Sequence, residues 1–441
     1  MANAIGKGAH DLFALSDRII SEGVANEPVN RMNFELSELT DNCAMVEAFS
    51  HVIVMKTDDG LVAFDTSGAL GGEAVVKAIR TWDESRFNSL IYTHGHIDHV
   101  GGCGCFITDA ECKKHPAPKV IGHENVAKRF DRYNMTNGYN VVINERQFGQ
   151  GSFAGLGIGG KKSFLPQSTA YPDITYEDRM DLSIGGLDIE LHHAKGETDD
   201  HTWAWVPETK TICAGDFFIW NFPNAGNPQK AQRYPIEWAQ ALRKMSTMGA
   251  EYFMPAHGLP IRGHAQIKSV LNDVASALEN LVEAVLEMMN EGAKLNTIIH
   301  EVKVPDSILS KPYLRPLYDE PEFVVQNIWR LYGGWYDGNP ANLKPARDAD
   351  LAKEIVQLVG SAHVVSERAK MLSEKGEHRL ACHLIELAVA ATPDDKDIHE
   401  TRVEVYKRRQ KSELSLMSKG IYRYASNQSR NKLSSETSST L

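Results

Sequence analysis

The chain carries the stretch His94-Gly95-His96-Ile97-Asp98-His99 between an apolar run, Ser89 to Tyr92, and the glycine pair Gly101-Gly102. Its imidazoles and carboxylate are ligands that zinc and related transition metals accept. So short a loop cannot wrap all four side chains around one ion without strain. We therefore expect His94 and His96 to bind one metal and Asp98 and His99 to bind a second, which predicts a two-metal hydrolase.

Composition and charge place the chain among ordinary globular proteins. Its 441 residues include 42% hydrophobic and 24% charged side chains, and this length suggests two domains. The net charge of -11 argues against nucleic acid as a partner. No apolar run approaches the roughly 18–20 residues of a membrane span, and residues 1–21 do not resemble a secretory signal. We therefore expect a cytoplasmic protein with reduced cysteines.

The first part of the chain has the pattern of an α/β domain. Short strand-like and helix-like segments alternate from about residue 30 to residue 260. Thr57-Asp58-Asp59-Gly60 lies between two apolar runs and predicts a hairpin turn. Residues 73–82 then predict a helix, and residues 90–93 predict the strand that leads into the metal loop. We assign residues 1–300 to this domain.

The character of the chain changes to helical after residue 265. Apolar residues from Ile267 to Met289 recur at the spacing of a buried helix face. Residues 351–372, 379–391 and 398–416 continue this pattern. The tail from Ser426 is rich in Ser, Thr and Asn, and it is predicted to be disordered. We therefore expect an all-helical domain over residues 301–425 and a disordered tail over residues 426–441.

Two metals need more than four protein ligands, so further donors are expected on loops that follow strands. The loop over residues 194–201 offers Glu197 and His201. Asp216 and His257 follow two later strand-like segments. The residues alone leave open whether Glu197 or His201 is the ligand.

The metal motif resembles the signature of the metallo-β-lactamase superfamily, which implies an αββα sandwich. Glu197 stands in a Gly-x-Thr loop where most members of that superfamily have a histidine. Asp216 is similar to the bridging carboxylate, and His257 to the final histidine. The ligand set that this resemblance implies is His94, His96 and Glu197 on one metal and Asp98, His99 and His257 on the other, with Asp216 bridging.

Two further residues are interpreted through the same resemblance. Asp65, at the end of an early strand, is similar to the aspartate that supports the ligand loop from behind. His201 then becomes a residue that faces the substrate or supports a ligand. His192 and His193 lie within a strand pattern, and we interpret both as structural.

The glutamate in the Gly-x-Thr loop is similar to the alkylsulfatase branch of the superfamily. Residues 327–340, which read Asn-Ile-Trp-Arg-Leu-Tyr-Gly-Gly-Trp-Tyr-Asp-Gly-Asn-Pro, resemble the start of that branch's helical dimerisation domain. The resemblance implies two Zn²⁺ per chain, or another divalent metal, and a homodimer. It also implies hydrolysis of an alkyl or aryl sulfate ester, a small anionic substrate, by metal-activated water.

The catalytic and substrate-binding residues are less completely matched. Asp98 and Asp216 are the predicted catalytic carboxylates. The arginine with which this branch clamps sulfate has no match, and Arg233, the nearest planar donor, is similar to a different arginine of the family. We predict that Arg233 and His201 bind the substrate.

Other signals concern the surroundings of the metals. The glycine-rich stretch Gly155–Gly160, followed by Lys161 and Lys162, predicts a mobile loop that helps to hold an anionic ester. Four aromatic residues either line an apolar pocket for the substrate's tail or pack in the core: Tyr139, Phe148, Trp220 and Phe222.

Two alternative functions remain open at this point. The same metals would serve a hydrolase of a lactone, a phosphodiester or a carboxylic ester. The chain would otherwise be a non-catalytic helical scaffold whose enzyme domain has decayed.

Overall fold

The structure is a computed structural model that describes residues 11–148 and 163–437. The predicted loop Gly155–Gly160 and the adjacent Lys161 and Lys162 lie outside the described residues. Within the described part, residues 11–142 and 163–334 form one compact unit, and residues 143–148 and 335–437 form a second.

The boundary between the units falls later than the sequence predicted. Residues 301–334 belong to the first unit, although the sequence assigned them to the helical domain. The reason is apolar packing, since Val324, Val325 and Ile328 are buried in the core of the first unit. A helical pattern alone does not tell which core a helix joins.

A seven-stranded sheet forms one layer of the first unit, and its strands follow sequence order. The strands are β1 (Leu36–Thr40), β2 (Cys43–Val46), β3 (Val52–Thr57), β4 (Gly60–Phe64), β5 (Phe87–Ile91), β6 (Lys119–His123) and β7 (Ile174–Tyr176). Strands β1 to β4 pair antiparallel, and β4 to β7 pair parallel. Thr57 pairs with Gly60 across a two-residue turn, which confirms the predicted hairpin.

A six-stranded sheet forms the second layer, in the order β13-β12-β11-β10-β9-β8. Its strands are β8 (Arg179–Ile184), β9 (Leu187–His193), β10 (Thr202–Val206), β11 (Thr211–Gly215), β12 (Tyr252–Pro255) and β13 (Ile261–Arg262). Strands β11 and β12 pair parallel, and the other neighbours pair antiparallel.

Eleven helices accompany these sheets in the described residues. They are α1 (Leu12–Glu22), α2 (Gly72–Trp82), α3 (Ile97–Val100), α4 (Cys103–Cys112), α5 (Glu124–Met135), α6 (Asn137–Phe148), α7 (Pro235–Ser246), α8 (His264–Asn290), α9 (Leu295–Glu301), α10 (Asp306–Leu309) and α11 (Pro321–Gly333). Helix α6 runs from the first unit into the second.

The side chains of each strand point alternately to the two faces of the sheet, and this explains how the layers stack. Ile53 and Met55 on β3 join the core that contains the six-stranded sheet with α7 and α8. Val52 and Val54 point to the opposite face and join the core formed with α2, α4 and α5. Successive side chains of a strand point to opposite faces, so the seven-stranded sheet is buried on both sides. The predicted αββα sandwich is confirmed.

The second unit is helical, as expected. Its helices after α6 are α12 (Pro340–Leu343), α13 (Asp348–Val359), α14 (Ala362–Glu374), α15 (His378–Ala391), α16 (Lys396–Ser412) and α17 (Leu416–Thr437). The segment predicted as continuous over residues 351–372 is broken at Gly360, which caps α13 with a φ of 99°. A left-handed residue of this kind ends a helix.

The predicted disorder of the tail is wrong for residues 426–437, which continue helix α17. Ser426 and Ser429 are buried, and Ser429 Oγ lies 2.9 Å from His399 Nδ1 on α16. The serines therefore pack against a neighbouring helix, which composition alone does not reveal. No helix among the described residues has the length and hydropathy needed to cross a membrane.

A glycine contact behind the metal loop offers a test of this packing. A Cβ added to Gly102 would lie 2.1 Å from the Thr66 carbonyl oxygen and 3.1 Å from Gly72 Cα. Neither atom is at the end of a flexible side chain, so Gly102→Ala is expected to lower the free energy of unfolding by about 1–3 kcal/mol. Urea unfolding measures the loss. Gly138→Ala is the control, because Gly138 has no neighbour within 4 Å. Equal stability of the two variants would contradict the described packing.

Candidate metal centre

Each predicted ligand lies shortly after the end of a strand, in a loop or, for Asp98 and His99, in the short helix α3. The residues from His94 to His99 follow β5 of the seven-stranded sheet. Glu197 follows β9, Asp216 follows β11, and His257 follows β12, all in the six-stranded sheet. Both sheets therefore supply donors to the same centre. The donors come together only when the two sheets are folded and packed against each other.

The structure brings the seven side chains together in two groups. In each group the candidate ligand atoms lie within 4.8 Å of one another: His94, His96, Glu197 and Asp216 form the first, and Asp98, His99 and His257 form the second. This grouping matches the division into two metal sites that the sequence predicted.

Asp216 lies between the two groups. Its Oδ1 is 3.4 Å from His99 Nε2 and 3.6 Å from His257 Nε2. Its Oδ2 is 3.9 Å from His94 Nε2. Since one oxygen faces each group, this carboxylate has the geometry of a bridge.

Orphaned polar atoms test whether metals fit here. His99 Nε2, Glu197 Oε2 and Asp216 Oδ1 are buried and have no hydrogen-bond partner. Buried polar atoms in folded proteins almost always have a partner, so these atoms point to groups that bind between them. Nitrogen and carboxylate oxygen donors of this kind suit divalent transition metals. The donor set therefore fits a bound cation in each group.

The charges at the centre lead to the same conclusion. Burial raises the pKa of Glu197 well above its usual range, and nearby Asp216 adds to the rise although Arg233 opposes it. Burial acts in the same direction on Asp216, but His99 and His257 outweigh it and hold the pKa of this carboxyl far below its usual range. Crowded carboxylates need positive charge nearby to stay ionised, and bound cations would supply it.

Asp65 supports the ligand loop from behind, as predicted. Its carboxylate accepts hydrogen bonds from Thr93 N at 2.7 Å and Thr93 Oγ1 at 2.8 Å, and it lies 2.7 Å from His99 Nδ1. A hydrogen bond at Nδ1 leaves His99 Nε2 as the nitrogen that faces the centre. Asp65 itself has a φ of 61°, a left-handed conformation that aspartate tolerates better than most residues.

A second carboxylate, Asp200, holds the loop from another side and was not found from the sequence. Its Oδ2 accepts hydrogen bonds from Gly95 N at 2.9 Å and from Arg129 Nε at 2.8 Å. Burial disfavours its charged form, but Arg129 prevails and lowers the pKa of Asp200 to about 2. Its position beside Glu197 was the available signal, but the distant partner Arg129 has no sequence signature.

Glu197 is held by two side chains from the segment after Asp216. Asn224 Nδ2 donates to Glu197 Oε1, and Arg233 Nη2 lies 3.4 Å from the same oxygen. Arg233 Nη1 also donates to the Glu197 carbonyl oxygen. Arg233 is buried, and both of its terminal nitrogens face Glu197. Arg233 therefore holds a candidate ligand, and its contact with substrate stays a prediction.

His201 lies behind the centre rather than in it. Its Nε2 accepts a hydrogen bond from Asp216 N at 3.1 Å, and its ring stacks on Phe217 with centroids 4.3 Å apart. Burial lowers its pKa to about 3, so the ring is neutral. The side chain has no exposed surface. His201 therefore holds the Asp216 backbone, which is one of the two roles expected for it, and it belongs to neither donor group. Its contact with substrate stays a prediction.

The centre is accessible from the side of His96, Asp98 and His257. Their side chains are 17%, 17% and 13% exposed, whereas His94 and His99 are fully buried. Solvent therefore reaches the centre on the side of these three residues.

Two further side chains interact with the carboxylates of the centre, and neither was identified from the sequence. Burial, assisted by Arg233, lowers the pKa of Lys230 to about 8. Burial and the charges of Glu197 and Asp98 raise the pKa of Tyr318. Tyr318 was not predicted as part of the site because it lies outside residues 1–300, which the sequence analysis assigned to the catalytic domain.

Two of the four aromatic residues considered for a substrate pocket lie in the hydrophobic core instead. Trp220 and Phe222 are fully buried in the hydrophobic core, and Trp220 Nε1 donates to the Leu259 carbonyl oxygen at 2.7 Å. Tyr139 is instead exposed, and Phe148 is half-buried.

Comparison with protein families agrees with this geometry. Residues 46–257 match the family model of the metallo-beta-lactamase superfamily, and residues 294–432 match the alkyl sulfatase dimerisation family. The chain therefore combines a region that matches the metallo-β-lactamase superfamily with a later region that matches the alkyl sulfatase dimerisation family.

Individual relatives carry consistent names. A linear primary-alkylsulfatase from Pseudomonas sp. is 24% identical over 80% of this chain and 69% of its own length. An (R)-specific secondary-alkylsulfatase from Pseudomonas sp. is 25% identical over 90% of this chain and 63% of its own. The alkyl/aryl-sulfatase BDS1 of Saccharomyces cerevisiae is 23% identical over 83% of this chain and 59% of its own length. The chain thus spans about three fifths to two thirds of these relatives.

A solved structure supports the fold. The stereoselective inverting sec-alkylsulfatase Pisa1 from Pseudomonas sp. superposes with a TM-score of 0.79 at 23% identity, covering 90% of this chain and 66% of that one. At this level of identity the likeness establishes the architecture shared by the two chains.

Proposed function

We propose that this protein is a hydrolase of organic sulfate esters, alkyl or aryl, that uses two divalent cations, zinc in the first instance. The observation that carries the proposal is the pair of donor groups joined by Asp216. The alkylsulfatase names of the relatives support sulfate rather than another ester. A complete donor set argues against a scaffold with a decayed enzyme domain.

The cations would supply Lewis acidity, which makes water a nucleophile near neutral pH and stabilises negative charge on departing sulfate. The residues of the chain place and orient these parts. His94, His96 and Glu197 hold one side of the centre, and His99 and His257 hold the other.

The two predicted catalytic carboxylates have different tasks in this proposal. Asp216 is buried and stays ionised, so it fixes the separation of the two donor groups. Asp98 is partly exposed, and its Oδ2 lies 3.5 Å from His257 Nε2. Burial favours its neutral form, but His99 prevails and lowers the pKa of Asp98. Asp98 therefore presents an ionised carboxylate on the accessible side, where it would help His99 and His257 to hold the second cation and would orient the attacking water.

The substrate's charge is consistent with this environment. Two divalent cations and three carboxylates leave a net charge of about +1, which attracts an anionic ester. The charges of Asp98 and Glu197 also act on the ammonium group of Lys230, which would add to the positive charge of the centre.

A substrate panel tests the proposed activity. Sulfate release from an alkyl sulfate and an aryl sulfate is compared with hydrolysis of an acyl lactone, a bis-aryl phosphate and an aryl acetate. We expect sulfate esters to be preferred, and Asp98→Asn to reduce kcat about 10²–10⁴-fold. Asp181→Asn on the exposed strand β8 serves as the control and should leave the rate unchanged. Turnover of another ester class with no sulfate release would reject the assignment.

Metal analysis tests the proposed cofactors. Purified protein dialysed free of loose ions is expected to hold about two divalent metals per chain by elemental analysis. His96→Ala should lower the content toward one, because only the first donor group loses a ligand. Asp216→Ala should lower it further, because this residue faces both groups. His300→Ala, which removes an exposed histidine of α9, should retain both metals. Wild-type protein that is fully active without metal would overturn the proposal.

We also propose that two chains associate through the second unit. The family match to a dimerisation region supports this. Large apolar side chains on its surface support it as well, with Leu358 88% exposed and Trp335 70% exposed. Exposed apolar area of this kind is typical of interaction surfaces.

Light scattering at micromolar concentration should therefore give twice the mass of one chain. Leu358→Glu, which places a charge on the exposed apolar surface, should shift the protein toward monomer, whereas Glu367→Gln on α14 should not. A wild-type protein that is monomeric at this concentration would exclude the proposed dimer.

A further inference from the structure

The segment that follows Asp216 is attached along its length to residues that lie nearly one hundred positions later. Phe222 N donates to the Arg315 carbonyl oxygen at 3.0 Å. Gly226 N donates to Asp319 Oδ2 at 2.7 Å. A Cβ on Gly226 would lie 2.2 Å from Val324 N, so this segment touches the backbone at the start of α11. Its shape therefore depends on α11 and the loop before it.

Asn327 on α11 makes the last of these attachments. Its Oδ1 accepts a hydrogen bond from Arg233 N at 3.3 Å, and its Nδ2 donates to the Arg233 carbonyl oxygen at 3.0 Å. One side-chain amide thus satisfies both backbone polar groups of a buried residue. Gln232 Nε2 and Arg330 Nη2 also donate to Asn327 Oδ1, at 2.9 Å and 3.2 Å, which fixes the orientation of the amide.

The residue held in this way is the one that holds Glu197. The Arg233 guanidinium contacts both the carbonyl and the Oε1 of Glu197. Tyr234 N, next along the chain, donates to the Gly196 carbonyl oxygen at 3.0 Å. Glu197 Oε1 contacts Arg233 and Asn224 and lies 3.6 Å from His96 Nδ1, so the same contacts fix the carboxylate relative to its donor group. A chain of direct contacts therefore runs from Asn327 through Arg233 to one candidate ligand of the first donor group.

We propose that Asn327 is a positioning residue for the first metal site, acting through Arg233 on Glu197. The inference rests on the proposed two-metal function and adds a residue from outside the metallo-β-lactamase match. Buried N–H and C=O groups require partners. Removing the amide takes away the bond to Arg233 N and leaves the Arg233 carbonyl oxygen with Gln232 Nε2 at 3.0 Å, so the Arg233 backbone is held less firmly and loosens its grip on Glu197. Within the part of the chain that the structure describes, Asn327 and Arg233 make no hydrogen bond or ion pair with Asp98, His99 or His257, so the second donor group is expected to be unaffected.

The experiment measures stepwise metal dissociation constants by chelator competition, without substrate. Asn327→Ala is expected to weaken one of the two constants about 10–100-fold, the usual effect of losing a residue that orients a ligand. The other constant should change less than about threefold. Gln326→Ala is the matched control, because Gln326 is the exposed neighbour on the same helix, and it should leave both constants unchanged.

Two further variants keep the result interpretable. Asn327→Asp retains the acceptor for Arg233 N but loses the donor to the carbonyl oxygen, so it should fold and weaken the same constant less than alanine does. In Glu197→Gln protein, Asn327→Ala should have little additional effect, because the ligand it positions is already altered.

The outcomes separate the two proposals. Unchanged constants in both Asn327 variants, or equal weakening of both sites, overturn the positioning role while leaving the two-metal function intact. If wild-type protein binds two metals but hydrolyses no sulfate ester, the substrate assignment fails and the Asn327 inference is still decided by the metal constants. If wild-type protein binds no metal, both proposals fall.

Discussion

Three carboxylates, Asp98, Glu197 and Asp216, converge at the ends of strands from two sheets, and they repel one another wherever water is excluded. Burial and this repulsion raise the pKa of Glu197, while imidazoles around Asp216 keep its carboxyl ionised. The arrangement is costly unless cations share the space. The unpartnered atoms His99 Nε2 and Asp216 Oδ1 face that space. Much of the surrounding structure acts to hold these charges at fixed distances.

The residues that hold the donors in place come from different parts of the chain, but all of them act through buried hydrogen bonds. Asp65 fixes the ring of His99, Asp200 fixes the backbone between His94 and His96, and Arg233 fixes Glu197. Each support is a buried polar group with several partners, and such groups are rigid because no water replaces a broken bond. The precision of the donors therefore comes from buried hydrogen bonds and not from the loops on which the donors lie.

The sequence predicted the parts of this site that are encoded locally. The donors from His94 to His99 form a compact motif, and Asp65, Asp216 and His257 follow recognisable strands, so pattern and resemblance located them. The sequence could not give the contacts of His201 and Arg233, because these depend on which atoms meet in space. His201 faces the Asp216 backbone, and Arg233 faces Glu197. The cytoplasmic location stays a prediction, since a fold does not record a compartment.

The boundary between the two units and the extent of the last helix could not be predicted from the sequence either, because both depend on contacts between distant parts of the chain. Helical periodicity did not reveal that residues 301–334 join the first unit or that α17 continues past the buried Ser426 and Ser429 to Thr437. The dimerisation family match begins at residue 294, while the compact first unit ends at residue 334. Family boundaries and physical boundaries therefore divide this chain differently.

The donors come from both layers of the sandwich, with His94 to His99 on one sheet and Glu197, Asp216 and His257 on the other. A centre built across two layers fixes the position of one sheet relative to the other, because shifting either sheet by one residue would separate the donors of the two layers. The strands are therefore poor places for evolutionary or engineered change, whereas the loops outside the donor positions are open to it. New specificities on this scaffold are expected to arise by remodelling those loops while the register of the sheets is conserved.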